Sequence, residues 1–163
     1  MPIPLNQIAF ALGATLIATQ SFAQHADVGP FSGLSGHWAG AGVISLGDGS
    51  TERIHCRATY SVDAAGRSLV QQLRCASDSY RLEISANVRS QGGVLSGSWS
   101  EAAHGESGSV SGSASGSTIR AQVRGGSFSA GIGIHTSGAA QSVTITPSAG
   151  TDVRSVTITM RRG

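Results

Sequence analysis

The stretch Leu34-Ser35-Gly36-His37-Trp38-Ala39-Gly40-Ala41-Gly42 decides the fold, because it opens a long region in which apolar and polar residues alternate. Strict alternation with a period of two is typical of a β-strand, in which successive side chains point to opposite faces. The alternation continues from this stretch almost to the end of the chain. It predicts the first strand of an antiparallel meander, with Trp38 pointing to the interior and His37 to solvent.

Turn-forming pairs divide the rest of the chain into short strands. The pairs are of the kind that closes hairpins, and they are Gly116-Ser117, Gly125-Gly126, Ser137-Gly138 and Gly150-Thr151. Ten strands result, and no helical period is present in this region of the sequence. The pattern predicts a single all-β domain over residues 31–163, an antiparallel up-and-down β-barrel of about ten strands.

The register of each hairpin follows from the alternation, because a slip of one residue would turn the entire apolar face to water. The predicted opposed pairs are Ala114 with Ile119, Val123 with Phe128, Ile132 with Val143, and Ile145 with Val156. The serine-rich stretch 105–117 is predicted to be a strand rather than a linker, with its serines on one face and small residues on the other. Trp99 on the preceding strand is expected to cover the glycines of that strand.

The two cysteines, Cys56 and Cys75, lie on consecutive predicted strands. Pairing Asp63 with Ser68 across the intervening turn places the cysteines directly opposite each other, within reach of a disulfide. An oxidising compartment favours that bond, and the alternative is two separate buried thiols. The C-x-x-C spacing of redox sites is missing, so a disulfide here is predicted to be structural.

Residues 1–23 have the pattern of a secretory signal peptide. An apolar run over residues 8–18 precedes the small-x-small cleavage site Ser21-Phe22-Ala23, and the run is too short for a membrane span. The first seven residues carry no Arg or Lys, so a buried N-terminal helix is the alternative. The signal peptide implies a mature chain with a flexible lead-in over residues 24–30, no transmembrane span, and a periplasmic or secreted location. Because every basic residue is Arg, the source is expected to be a bacterium with a GC-rich genome.

The stretch 34–42 resembles the opening of calycin β-barrels, in which a Gly-x-Trp on the first strand closes one end. Within that group, its Leu-x-Gly-x-Trp-x-Gly-x-Gly pattern is similar to the start of nitrobindin-type ten-stranded barrels. The resemblance to lipocalins implies that an Arg near the end of the chain, Arg154 or Arg162, packs over the Trp38 ring. Nitrobindin-type barrels bind haem through a His near the last strand. This sequence has no His there, and the side chain of His135 on the eighth predicted strand is predicted to point outward. No haem or other cofactor is therefore expected.

Several aromatic and polar side chains point inward on the predicted strands and could line a ligand cavity. The candidates are Trp38, Tyr60, Gln71, Tyr80, Trp99, Phe128, Gln141 and Met160. Small barrels either fill with side chains or hold one small ligand, and both interpretations remain open. Tyr60 and Gln71 face each other in this register, so their polar groups are expected to satisfy each other. The first hypothesis is an exported binding module for a small apolar ligand.

Arginines on the outer face of the predicted sheet lead to a second hypothesis. The candidates for an anion-binding patch are Arg53, Arg57, Arg74 and Arg81. Arg74 is predicted to oppose both Arg57 and Arg81, and like charges opposed across strands are unfavourable. A phosphate or an acidic glycan of the cell envelope would relieve the repulsion, whereas screening by solvent and by Glu83 or Asp78 is the alternative. The second hypothesis is a structural or envelope-interaction protein with a filled core.

Sequence signatures of catalysis are missing. There is no Gly-x-Ser-x-Gly, His-Glu-x-x-His or P-loop motif, and the five histidines lack metal-ligand spacing. Glu101, His104 and Glu106 share one predicted turn, which favours a solvated hairpin tip. The net charge of +2 is too weak to indicate a nucleic-acid partner. The sequence therefore predicts a protein that is not an enzyme, with no metal site and no nucleic-acid partner.

Overall fold

A computed structural model describes residues 28–148 and 150–163. Ten strands form a closed antiparallel barrel, in which each strand pairs with its neighbours in sequence and β1 pairs with β10. The strands are β1 Gly36–Leu46, β2 Thr51–Val62, β3 Ser68–Ala76, β4 Arg81–Gln91, β5 Val94–Glu101, β6 Glu106–Ser115, β7 Thr118–Gly125, β8 Ser129–Ser137, β9 Ala140–Pro147 and β10 Val153–Arg162. The predicted all-β, up-and-down barrel of ten strands is confirmed.

The predicted signal peptide over residues 1–23 lies outside the described residues, as do residues 24–27 of the predicted lead-in. In the part of the chain that the structure describes, no helix is long and apolar enough to cross a membrane.

The segment 28–35 crosses one end of the barrel, which we call the capped end. Phe31 donates its backbone N–H to the Gly66 carbonyl, and the side chains of Phe31 and Leu34 are buried. The β2–β3, β4–β5, β6–β7 and β8–β9 turns also lie at the capped end, because consecutive strands run in opposite directions. The other five turns lie at the opposite end, which we call the far end.

The predicted register is confirmed in several hairpins. Cys56 opposes Cys75, and their sulfur atoms are bonded at 2.09 Å, so the predicted disulfide is present. The pairs Ala114 with Ile119 and Ile145 with Val156 are also as predicted.

The two hairpins that contain β8 differ from the predicted register by two residues. Val123 opposes Ala130 rather than Phe128, because Gly125 donates its N–H to the Phe128 carbonyl and the connection is longer than two residues. Ile132 opposes Ile145 rather than Val143.

The second difference has its origin in the β8–β9 turn. Ser137 pairs with Ala140, so the turn consists of Gly138 and Ala139 rather than Ser137 and Gly138. Gly138 has a φ of +58°, and a two-residue hairpin turn favours such a glycine at its first position. A register shift of two residues keeps every side chain on its predicted face, so the inward set is unchanged.

The serine-rich stretch forms β6, as predicted, and Trp99 of β5 covers its glycines. Trp99 lies directly opposite Gly108, and a Cβ atom at Gly125 on the next strand would lie 2.8 Å from the Trp99 Cζ2 atom. The serines of β6 alternate outward on the solvent face. The bulky indole therefore occupies the space that the small residues of β6 and β7 leave inside the barrel.

Candidate functional site

Trp38 anchors the capped end of the barrel. Its side chain is 1% exposed, and its Nε1 atom donates a 2.8 Å hydrogen bond to the Leu34 carbonyl. The Arg162 guanidinium lies 5.3 Å from the centre of the Trp38 ring, and its Nη1 donates to the carbonyls of Gly33 and Ser35. The predicted cation–π contact is therefore made by Arg162.

Arg154, the other residue predicted for that contact, lies at the far end. Its Nη2 donates to the carbonyl of Gly47. A register irregularity between Ser45 and Leu46 changes the pairing of β10 at this point, and Arg154 is exposed.

Tyr60 and Gln141 form the polar contact inside the packed part of the barrel. Tyr60 opposes Gln71 in the predicted register, but its hydroxyl donates to the Oε1 atom of Gln141 at 3.1 Å, so the predicted Tyr60–Gln71 contact is wrong. Burial raises the pKa of Tyr60 to about 12, which keeps the hydroxyl protonated. Trp38, Tyr60, Gln141 and Met160 are each at most 3% exposed, so these four cavity candidates belong to the packed core.

The other four cavity candidates retain some exposure or lie nearer the far end. Gln71 is partly buried near the middle of β3. Tyr80 and Phe128 are partly buried at the far end, and Trp99 meets Phe128 edge-on with ring centres 6.1 Å apart. The structure therefore places four of the predicted cavity residues in the packed core, Tyr80, Trp99 and Phe128 toward the far end, and Gln71 between them.

Inward-facing apolar side chains toward the far end are incompletely buried, although they belong to the same interior as the core. We call this set the far-end lining; it consists of Leu46, Leu73, Tyr80, Leu82, Phe128, Ile132, Ile145, Val153 and Val156. At the capped end, by contrast, Phe31, Leu34 and Trp38 are at most 4% exposed. Trp38 and the segment over it are thus tightly packed at the capped end, whereas apolar side chains remain accessible toward the far end.

The indole of Trp99 contributes a polar atom to this region. Trp99 is 7% exposed, and among the described residues no atom accepts a hydrogen bond from its buried Nε1. A buried N–H without an acceptor costs about 1–3 kcal/mol, so a group that accepted from it would be stabilised.

The rim of the far end carries carboxylates. The acidic residues at inward-facing positions of their strands are Glu52, Glu101 and Glu106. The Oε1 atom of Glu52 accepts a hydrogen bond from the backbone N–H of Ser79. Asp48 and Asp152 lie in the neighbouring turns. The mouth of the barrel is therefore lined with apolar side chains, and its rim carries these five carboxylates beside Arg154.

Glu101 organises the β5–β6 turn. Its side chain is 5% exposed, so the prediction that Glu101 belongs to a solvated hairpin tip is wrong. Its carboxylate accepts from the backbone N–H groups of Glu83, Ala103 and His104 and from Nδ1 of His104, the last at 2.7 Å. Burial by itself raises the pKa of Glu101, but these hydrogen bonds outweigh burial and lower the pKa to about 2.

Glu101→Gln is expected to lower the free energy of unfolding at pH 7 by roughly 1–3 kcal/mol, because an amide cannot accept all of these hydrogen bonds. The depressed pKa means that ionised Glu101 stabilises the folded state above its unfolded pKa, and that this contribution disappears as the pH falls from about 4.5 to about 2. Urea unfolding of both proteins between pH 7 and pH 2 should therefore show the two stabilities converging. Glu83→Gln, a change in a half-exposed side chain, is the control and should change stability little; a pH-independent gap for Glu101→Gln would contradict the assignment.

A concavity of about 1050 Å³ lies at the capped end, between the segment 28–34 and the turns of β4 to β9. Glycines and hydroxyl side chains form much of its wall, together with Arg67, Arg89 and Arg162. None of the eight predicted cavity residues lines it. Its partly polar wall distinguishes it from the far-end lining.

On the outer face, Arg57 opposes Arg74 as predicted, whereas Arg74 opposes Glu83 instead of Arg81. Ser77 donates its N–H to the Tyr80 carbonyl, so the β3–β4 turn is longer than expected and Arg81 pairs with Ala76. The Nε atom of Arg74 lies 3.9 Å from Oε1 of Glu83, in an exposed pair. Arg53 is exposed on the outer face of β2.

Within residues 28–148 and 150–163, no group of three or more His, Cys, Asp or Glu side chains is placed to hold a metal ion.

The fold is similar to those of two solved structures. Rv2717c from M. tuberculosis superposes with a TM-score of 0.63 at 13% identity, over 84% of this chain and 99% of that protein. The S-type phycobiliprotein lyase CPES from Guillardia theta superposes with a TM-score of 0.56 at 10% identity, over 82% of this chain and 90% of the lyase. No protein-family model and no curated protein matches the sequence. At these identities the likeness establishes the barrel architecture alone.

Proposed function

We propose that this protein is a binding module that holds a small apolar molecule at the far end of the barrel. The observation that carries the proposal is the far-end lining, whose apolar side chains face inward and remain accessible. Apolar surface gathered in a concave site is the usual basis of small-molecule binding. The similarity to a phycobiliprotein lyase supports a barrel of the ligand-binding kind.

The chemistry of the mouth suggests which class of molecule is held. The carboxylates of Glu52, Glu101 and Glu106 disfavour an anionic ligand, because like charges repel most strongly where solvent is excluded. The proposed ligand is therefore neutral or cationic and largely apolar.

We further propose that the protein acts as a carrier rather than an enzyme, and that it works in the periplasm or outside the cell. The Cys56–Cys75 disulfide supports an oxidising location, because such bonds persist mainly outside the cytoplasm. The signal-like pattern of residues 1–23 supports the same location.

Nile red, a neutral apolar dye with a carbonyl group, tests the proposed site. We expect its fluorescence to rise on binding, with an affinity about tenfold or more above that of the anionic dye 1-anilinonaphthalene-8-sulfonate, a difference of about 1.4 kcal/mol or more. Val153→Trp places a bulky side chain in the far-end lining and is expected to weaken Nile red binding by about tenfold.

Val94→Trp is the matched control, since Val94 is 64% exposed on the outside of the barrel and the same substitution there should leave binding unchanged. Circular dichroism and thermal unfolding establish that both variants are folded. Equal loss of binding in the two variants, or no binding to the native protein, would contradict the proposal.

A further inference from the structure

A groove of about 790 Å³ crosses the outer face of β1 to β4, outside the barrel interior. Its floor is the strand backbone at Gly40, Cys56, Cys75 and Leu82, and the side chains of the last three point into the barrel. Two rows of outward residues form its walls. The first row is Ala39, Arg57, Arg74 and Glu83, and the second is Ala41, His55, Ala76 and Arg81.

Positive charge dominates this groove. Arg57, Arg74 and Arg81 line it together with a single carboxylate, Glu83. The first row continues beyond the groove to Arg161 on β10, which opposes Ala39 and is exposed. Two arginines therefore flank the small side chain of Ala39, one strand away on either side.

The arrangement of charge is unfavourable without an anion. Arg57 and Arg74 are directly opposed on neighbouring strands, where like charges destabilise the pairing. Glu83 lies near Arg74, but among the described residues no carboxylate forms an ion pair with Arg57, Arg81 or Arg161. A carboxylate between opposed guanidinium groups would accept bidentate hydrogen bonds and neutralise the repulsion.

We propose that this groove binds an acidic polysaccharide, with its carboxylates on the arginine row. Neighbouring strands lie about 4.8 Å apart, so the row from Arg161 to Glu83 extends over about 19 Å and suits a chain of several sugar units. His55 and Thr159, which flank Ala41 on β2 and β10, supply hydrogen-bonding groups for sugar hydroxyls.

A membrane surface suits the groove less well than a polymer does. Surfaces that bind lipid usually place apolar side chains beside their cations. Here the large exposed apolar residues on β1 and β3 are Val43 and Val70, which lie on opposite sides of the groove and form no patch. The small side chains of Ala39 and Ala41 instead leave the groove open at β1 for a chain to pass.

Isothermal titration calorimetry with hexagalacturonate tests the inference, and neutral maltohexaose is the control ligand. We expect hexagalacturonate alone to bind, with an affinity that falls as NaCl is raised from about 50 to about 300 mM, because salt screens exposed charges. Arg57→Gln/Arg74→Gln is expected to weaken binding about tenfold or more, through the loss of two charge-assisted contacts. Glu83→Gln, which removes the one acidic group, is expected to strengthen binding by about threefold.

Arg120→Gln/Arg124→Gln provides the matched control. These arginines are exposed on β7, on the other side of the barrel, and their replacement removes the same net charge. Binding within about twofold of the native protein is expected, because salt screens charges on the opposite side of the barrel from the groove. Equal losses in the two double variants would overturn the inference, because they would indicate an effect of net charge alone.

Two further results would also overturn the inference. One is failure of the native protein to bind hexagalacturonate. The other is binding to vesicles that contain phosphatidylglycerol, lost in Arg57→Gln/Arg74→Gln, without binding to hexagalacturonate; this would assign the groove to a membrane surface. The groove and the far-end lining are separate, so neither result bears on Nile red binding.

Discussion

Replacing Trp38 with alanine is expected to lower the free energy of unfolding by about 3–5 kcal/mol, the range found for removal of a large buried aromatic side chain. Trp38 is 1% exposed, and it meets Tyr60 edge-on with ring centres 6.3 Å apart. Its loss would also free Arg162 from the ring and remove the hydrogen bond to the Leu34 carbonyl. One substitution therefore disturbs the core and the segment that covers it.

Urea unfolding followed by circular dichroism measures this loss. Trp38→Phe is the informative control, because it keeps an aromatic ring but lacks the N–H donor. We expect it to lose roughly 1–3 kcal/mol, from the missing hydrogen bond and the smaller volume. A loss below about 1 kcal/mol for Trp38→Ala would be incompatible with a packed anchor at this position.

Removing the disulfide is expected to have the second-largest effect. Cys56 and Cys75 are 19 positions apart, and closing a loop of this size stabilises a protein by about 3 kcal/mol in the chain-entropy treatment. Cys56→Ala/Cys75→Ala is the appropriate variant, because both positions are buried and serine would bury two hydroxyl groups. The free energy of unfolding should fall by about 2–4 kcal/mol.

Chemical reduction of the native protein supplies an independent measurement of the same quantity. The reduced protein and the double variant should unfold at similar urea concentrations, and the reductant should leave the variant unaffected. If reduction did not change the native protein, the crosslink would contribute nothing to its stability.

Much of the barrel could be predicted from the sequence, because alternation and hairpin glycines are local signals. The register errors arose at two turns of more than two residues and at the β8–β9 turn, which consists of Gly138 and Ala139 rather than Ser137 and Gly138. The connection from Gly125 to Phe128 and the turn from Ser77 to Tyr80 each shift the register by two residues. Such a shift leaves every side chain on its expected face, so the alternation cannot reveal it.

The interior contacts were harder to predict than the strands. Tyr60 bonds to Gln141, a residue 81 positions away, because closure of the barrel brings β2 and β9 to the same interior. Alternation predicts which side chains point inward, but it does not predict which of them are in contact across the interior. The burial of Glu101 also depends on backbone N–H groups from two elements, and no property of the residue itself indicates this.

Gly40 and Gly42 bring β1 so close to β10 that a Cβ atom at either position would collide with the carbonyl of Thr159 or Thr157. These contacts join the first strand to the last, so the barrel cannot close until β10 has joined the sheet. Until then β1 and β9 present two unpaired edges, each able to pair with another chain. Closure at these glycines therefore removes both edges at once, and it ends the chain's exposure to aggregation through them.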